Sequence, residues 1–162
     1  AGSMVLLEVA EIRTEPVSGA AVLLLREVDG RRHLALWIAE PERLAITDAL
    51  NEEEPIRPYT HDLLARVVAV LCEEEPQCVI TKVEDGVWFG ELVLGAMRID
   101  ARPSDLVALA LRLPVPIWCT EEVISSAGIL LDAGPEDAVE EFRQFLDQVS
   151  PDDFGPGPST SG

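Results

Sequence analysis

Two short stretches of the chain concentrate the side chains that can hold, polarise or deprotonate a substrate. The first, Arg57-Pro58-Tyr59-Thr60-His61-Asp62-Leu63-Leu64, sets a histidine and an aspartate at the start of an apolar helical run. The second runs from Ile99 to Trp118 and opens with Asp100-Ala101-Arg102-Pro103-Ser104-Asp105. Histidine is the side chain best placed to act as a general base near neutral pH. Arginine is a permanent cation suited to clamping developing anionic charge. Both stretches open a helix, and a helix N-terminus presents free backbone N–H groups, so a phosphate could sit there. His61, Asp62, Asp100, Arg102 and Asp105 are therefore the candidate catalytic residues, with His61 as base and Arg102 as anion clamp. Each also has an ordinary structural reading. Thr60 followed by Asp62 is a plain helix start, a cap and then an acid that suits the dipole. Arg102 and Asp105 can form a local ion pair, and Asp100 can serve as a cap or turn acid.

The elements that must position these residues follow from periodicity and turn chemistry. Val5 to Glu15 reads as a strand, Pro16 to Gly19 as a turn and Ala20 to Val28 as a second, very apolar strand. Asp29-Gly30 is a two-residue hairpin signal, with Arg32 to Ile38 returning. Pro41 opens a helix whose expected apolar face is Leu44, Ala45 and Leu50. Thr60 is the expected cap of the next helix, with Leu64, Val67, Val68 and Leu71 at helical spacing. Cys78 to Val83 and Val87 to Leu94 flank a second hairpin at Asp85-Gly86, and Met97 to Ala101 adds a short strand. Pro103 opens a helix that is apolar nearly all round from Leu106 to Leu113, which predicts burial. Ile117-Trp118 is extended, Thr120 caps a further helix, and Ala138, Phe142, Phe145, Leu146 and Val149 make the stripe of a last one. This order is strand-strand-strand-helix-helix, twice. Ala39-Glu40-Pro41 and Ala101-Arg102-Pro103 occupy matching places before an apolar helix. The expected fold is α+β, a single domain of two pseudo-repeated β3α2 halves with a mixed or antiparallel sheet.

Composition bounds the function. The chain has 162 residues, of which 48% are hydrophobic and 26% charged, enough for one cored domain without staples. Residues 1–3 read as an expression scar, 4–150 as the domain and 151–162 as a disordered Gly/Pro/Ser tail. No apolar run approaches membrane-spanning length. Cys72, Cys78 and Cys119 are odd in number, and no CxxC spacing occurs, so they read as reduced, inert, buried thiols in a cytoplasmic protein. His33 is expected to be exposed on its strand, and Trp37, Trp88 and Trp118 are read as core. The net charge of −18, with Lys82 the only lysine, opposes non-specific attraction to a phosphate backbone.

The two stretches carry a resemblance. The strand ending Leu36-Trp37-Ile38, the helical Glu42, Arg57-Pro58-Tyr59-Thr60-His61-Asp62-Leu63-Leu64, Asp100-Ala101-Arg102-Pro103-Ser104-Asp105 and Pro116-Ile117-Trp118 all have counterparts in one family. The chain resembles the bacterial bifunctional nuclease family, a DNase/RNase domain, and its Ser150 to Phe154 segment is similar to actinobacterial members. Ala39 stands where the family has glycine, Arg43 where it has a small residue, and Val87-Trp88-Phe89-Gly90 replaces a Thr-Phe-Tyr-Ala-like strand. The resemblance implies the doubled β3α2 fold and hydrolysis of RNA or DNA. Such chemistry activates water beside a phosphodiester and stabilises a pentacoordinate anion. Converging carboxylates holding Mg or Mn can do both, with Asp62, Asp100 and Asp105 as metal ligands or orienters. A histidine base with an arginine clamp is the other route.

The function expected is thus a nuclease-like domain acting on RNA or DNA. The alternative is a non-catalytic module that binds a small molecule or protein, which suits the acidic exterior better. Homo-oligomer formation through exposed edges is expected alongside either. The discriminating question is geometric: whether His61, Asp62, Asp100, Arg102 and Asp105 converge.

Overall fold

The structure, a computed structural model, describes residues 3–131. The expected helix across 138–149 and the tail 151–162 lie outside the described residues. Three strands open the chain: β1 (Met4–Thr14), β2 (Ala21–Glu27) and β3 (Arg32–Ile38). Two helices follow, α1 (Glu40–Leu50) and α2 (Thr60–Leu71). Then come β4 (Gln77–Glu84), β5 (Val87–Leu94), β6 (Met97–Ala101), α3 (Pro103–Arg112), β7 (Ile117–Thr120), α4 (Glu121–Ala127) and β8 (Ile129–Leu130).

All eight strands join one mixed sheet in the order β6-β5-β4-β7-β1-β2-β3-β8. Two antiparallel meanders, β1-β2-β3 and β4-β5-β6, meet through β7. That strand runs parallel to β4 and antiparallel to β1. The architecture is α+β, as the periodicity implies. Each meander is followed by a proline-led helix, but in the second half β7 separates α3 from α4, where a strict β3α2 repeat has no strand.

Local chemistry explains the elements. In β2, Ala21, Leu23 and Leu25 point into the main core, and Val22 and Leu24 into a smaller cluster with Ala35. A strand covered on both faces needs no polar alternation, hence the unbroken apolar run. The β4–β5 hairpin turns on Asp85 and Gly86 with φ of 51° and 78°, the left-handed pair that such a tight turn demands. The β2–β3 connection differs from expectation. It is a four-residue loop, 28–31, because Glu27 folds its carboxylate across the turn onto the backbone and guanidinium of Arg32. A Cβ on Gly30 would lie 2.0 Å from that carboxylate, so a larger residue there would displace the Glu27 side chain from Arg32.

The core is centred on α3. Leu106, Val107, Ala108, Leu109 and Ala110 are all buried, as the all-round apolar pattern predicts. Each fully buried leucine stabilises by roughly 1.5–3 kcal/mol. α3 packs on β4, β5 and β7, and α1 and α2 pack on α3. Gly90 of β5 permits this approach: a Cβ there would meet Leu106 Cδ1 at 2.6 Å and the Val79 carbonyl at 3.1 Å.

Several side chains depart from the sequence reading. The inward face of α1 is Glu42 and Ile46, while Leu44 and Leu50 are exposed. α2 buries Ala65 and Val68 but exposes Leu64, Val67 and Leu71. His33 is buried, its Nδ1 2.8 Å from the Arg31 carbonyl, because β8 pairs alongside that end of β3. Cys78 and Cys119 are buried, and burial pushes both thiols up to about 12, which makes them inert. Cys72 is only half-buried. The tryptophans are half-buried, and Trp37 lies on the smaller cluster.

Candidate active site

The site forms where the starts of α2 and α3 meet. Pro103 is the first residue of α3 and Arg102 its cap, so the chain leaves β6 and turns within two residues. That turn puts Asp105 in the first helical turn, beside the emerging Arg102 side chain. Arg102 Nε donates to Asp105 Oδ2 at 2.7 Å, and Nη2 donates to Oδ1 at 3.1 Å. His61, in the first turn of α2, reaches the same carboxylate from the other side, with Nε2 2.9 Å from Oδ1. Burial pushes the Asp105 carboxyl up, yet the hydrogen bonds from His61 and Arg102 outweigh it and hold the carboxyl below its usual range. An ionised Asp105 therefore accepts from Nε2–H. In the neutral ring that leaves Nδ1 as the free base nitrogen.

Arg102 has a second acid. Its Nη2 also donates to Glu42 Oε1 at 2.6 Å. Glu42 lies one turn before Ile46 on the inward face of α1, and its side chain is only 8% exposed. Its other oxygen, Oε2, is buried with no hydrogen-bond partner. The two acids raise the Arg102 guanidinium, chiefly through the Asp105 hydrogen bonds. Arg102 itself is largely exposed, so it presents a fixed guanidinium edge to solvent.

Asp62 belongs to a different arrangement. Its Oδ2 accepts from the Tyr59 backbone N–H at 2.9 Å, so Asp62 rather than Thr60 satisfies the helix start. Its Oδ1 accepts from Arg112 Nε at 2.7 Å. Arg112 also donates to the Ala108 and Ala45 carbonyls, at 2.7 and 2.9 Å, and so ties α2, α3 and α1 together. Burial raises the Asp62 carboxyl, and the Arg112 and Tyr59 hydrogen bonds more than reverse it. A cavity of about 690 Å³ opens beside this pair, lined by Glu52, Glu53, Glu54, Pro58 and Arg66 among others.

The structure thus brings together His61, Arg102 and Asp105 of the five expected residues. Asp62 neighbours His61 in sequence but is spent on Arg112. Asp100 lies exposed on the edge strand β6, opposite Glu91. An Mg or Mn ion held jointly by Asp62, Asp100 and Asp105 does not fit this arrangement. Guanidinium and imidazole donors occupy the first and last carboxylates, and no group of three or more His, Cys, Asp or Glu among the described residues is placed to hold a metal. Glu42 and Arg112 complete these networks, and neither is among the five candidate catalytic residues. A glutamate four residues before a buried isoleucine, on a helix with few cations, is the signal for Glu42. Arg112, at the end of an otherwise buried helix, had to find acceptors inside the fold.

Residues 23–132 match the model of the bifunctional nuclease domain. Two uncharacterized proteins of Mycobacterium tuberculosis, from strains CDC 1551 and H37Rv, are each 40% identical over 158 residues, covering 91% of this chain and 96% of theirs. The matched span contains both helix starts, the Asp105 network and the whole of α3. The chain is therefore a member of the bifunctional nuclease domain family.

Proposed function

We propose that this chain hydrolyses phosphodiester bonds of RNA or DNA, with His61 as general base, Asp105 as its orienting acid and Arg102 as the phosphate clamp. One observation carries the reading: a single carboxylate, Asp105, holds both the imidazole and the guanidinium. In the step proposed, a water oxygen attacks phosphorus and its proton passes to His61 Nδ1. The bond from phosphorus to the leaving oxygen breaks, and that oxygen takes a proton from the imidazolium or from solvent. Asp105 stabilises the imidazolium as it forms. Arg102 meets the charge that develops on the non-bridging oxygens. Glu42 keeps Arg102 in place from below, so the clamp is positioned before substrate arrives.

The binding-module reading is favoured by one feature, the neutralisation of Arg102 by two acids. A phosphate must then compete with carboxylates in a strongly acidic protein, so its binding should be weak. The experiment is cleavage of labelled single-stranded RNA and DNA at low salt, with Mg²⁺, with Mn²⁺ and with EDTA. The proposal expects cleavage that persists in EDTA and is lost in His61→Ala and Asp105→Asn. Cleavage that survives both substitutions points to another site or a contaminant. A folded wild-type protein without cleavage leaves the binding module.

A further inference from the structure

β6 ends the sheet, and among the described residues nothing pairs with its outer side. Met97, Arg98, Ile99 and Asp100 are all exposed. Leu94 and Met97 close a two-residue turn as a hydrogen-bonded pair, and such pairs alternate with non-hydrogen-bonded ones along an antiparallel ladder. Met97, Ile99 and Ala101 therefore turn their N–H and C=O groups toward β5, and Arg98 and Asp100 turn theirs outward. Side chains alternate too. Ile99 sits opposite the buried Leu92, on the core face of the sheet, and Arg98 and Asp100 stand on the other face. On that face Asp100 lies directly opposite Glu91, a like-charge pair. Arg98 reaches Glu91 instead, Nη1 to Oε2 at 3.2 Å, and Asp100 has no cation among the described residues.

We propose that two copies of the chain pair β6 against β6, antiparallel, about a twofold axis at Ile99, so that one sheet runs through both. Backbone and charge select this register together. Within β6 only Arg98 and Asp100 offer outward backbone groups. A twofold pairing can therefore set Arg98 against Arg98, Asp100 against Asp100, or Arg98 against Asp100. The first two put like charges face to face and leave the other residue's backbone groups without a β6 partner. The third pairs the backbone groups of both residues and gives each Asp100 the partner's Arg98. On the core face the same register sets Ile99 against the partner's Ile99 and Met97 against the partner's Ala101. Met97 is 65% exposed and Ile99 42%, so both have apolar surface to cover. Charges can also guard an edge against pairing, but a guard repeats one sign, and these two are opposite in sign on either side of Ile99. Each copy carries a net charge of −18, which repels a second copy, whereas β6 itself is neutral. A twofold contact is isologous, so one self-complementary edge suffices. Arg102 follows β6 directly, and this register places the partner's Gly95-Ala96 turn opposite it.

The test is sedimentation of the full chain across a concentration series reaching about 1 mM, because pairing at one short edge makes a small interface. Circular dichroism confirms folding. The chain is 17.6 kDa, and the proposal expects a species of twice that mass. Arg98→Asp and Asp100→Arg should each raise the dimer Kd about 10-fold or more, and the two together should restore it. Ile99→Cys sets two thiols across a non-hydrogen-bonded pair, whose Cα separation of about 4.5 Å suits a disulfide. Under oxidising conditions it should form a linked dimer well beyond any that Cys72 gives in the parent. Met97→Cys should not, since its two copies lie roughly 14 Å apart along the strands. Amide exchange at Arg98 and Asp100 should slow as concentration rises. A monomer at every concentration overturns the proposal, including a monomer whose Arg98 and Asp100 amides are already protected, which would mean that residues 132–162 pair with β6. A dimer that leaves these amides unprotected, ignores the charge swap or links equally well through Met97→Cys also overturns it.

Discussion

The starts of α2 and α3 use the same parts to opposite ends. Each sets an aspartate in its first turn and gives it an arginine at 2.7 Å. The Asp62–Arg112 pair is closed: Arg112 is 11% exposed and its remaining donors go to two backbone carbonyls. The Asp105–Arg102 pair is open: Arg102 is 63% exposed, and the carboxylate takes a histidine as well. A half-buried ion pair whose two Nη groups also reach backbone carbonyls is built to hold helices together. An ion pair at the surface, with a free imidazole nitrogen and a free guanidinium edge, can meet a substrate. The difference between a clasp and a site thus lies in what remains unsatisfied, not in the residue types.

The largest effect expected is on the open pair. His61→Ala should lower cleavage about 10²–10⁴-fold, the usual worth of a positioned base, with the melting curve nearly unchanged. Next comes the closed pair. Arg112→Met leaves Asp62 without its partner and should cost about 3 kcal/mol of stability by denaturant titration, with a smaller effect on cleavage per folded molecule. Gly90→Ala acts on the α3 end only. It pushes Leu106, and with it the turn holding Asp105, and should cost about 1–3 kcal/mol. Arg102→Lys sharpens the clamp argument: an ammonium cannot bridge Asp105 and Glu42 as a guanidinium does, so cleavage should fall about 10-fold. The smallest effect is acidic. Asp62 has a depressed carboxyl in the fold, so its stabilisation is complete above the unfolded value of about 3.9 and disappears as pH falls through the folded value. Asp62→Asn should therefore flatten the acid limb of the stability curve below about pH 4, and an unchanged limb would count against the closed-pair account.

Much of this was legible before the fold was known. Strand β3 and the buried α3 follow from hydrophobic patterning alone, and Thr120 caps α4 as its position predicts, its hydroxyl accepting from the Val123 N–H. His61, Asp62, Arg102 and Asp105 were recognisable as polar groups at helix starts, and Arg102–Asp105 as a local ion pair. The partners distant in sequence were not. Glu42 lies 60 residues from Arg102, and Arg112 lies 50 from Asp62, so neither pairing has a local signature. The faces of α1 and α2 were misjudged for a related reason. Periodicity finds an apolar stripe, but only the packing against α3 decides whether that stripe is covered. On α1 the covered positions are Glu42 and Ile46, and on α2 most of the stripe is open.

The central claim is that Asp105 serves chemistry and Asp62 serves structure. Its most direct test is a paired measurement on two isosteric changes, Asp105→Asn and Asp62→Asn, recording cleavage per folded molecule and unfolding free energy for each. The account predicts that Asp105→Asn loses cleavage by two orders of magnitude or more while remaining folded, and that Asp62→Asn loses mainly stability. Equal losses of cleavage in both, at equal stability, would contradict it and return Asp62 to the catalytic group.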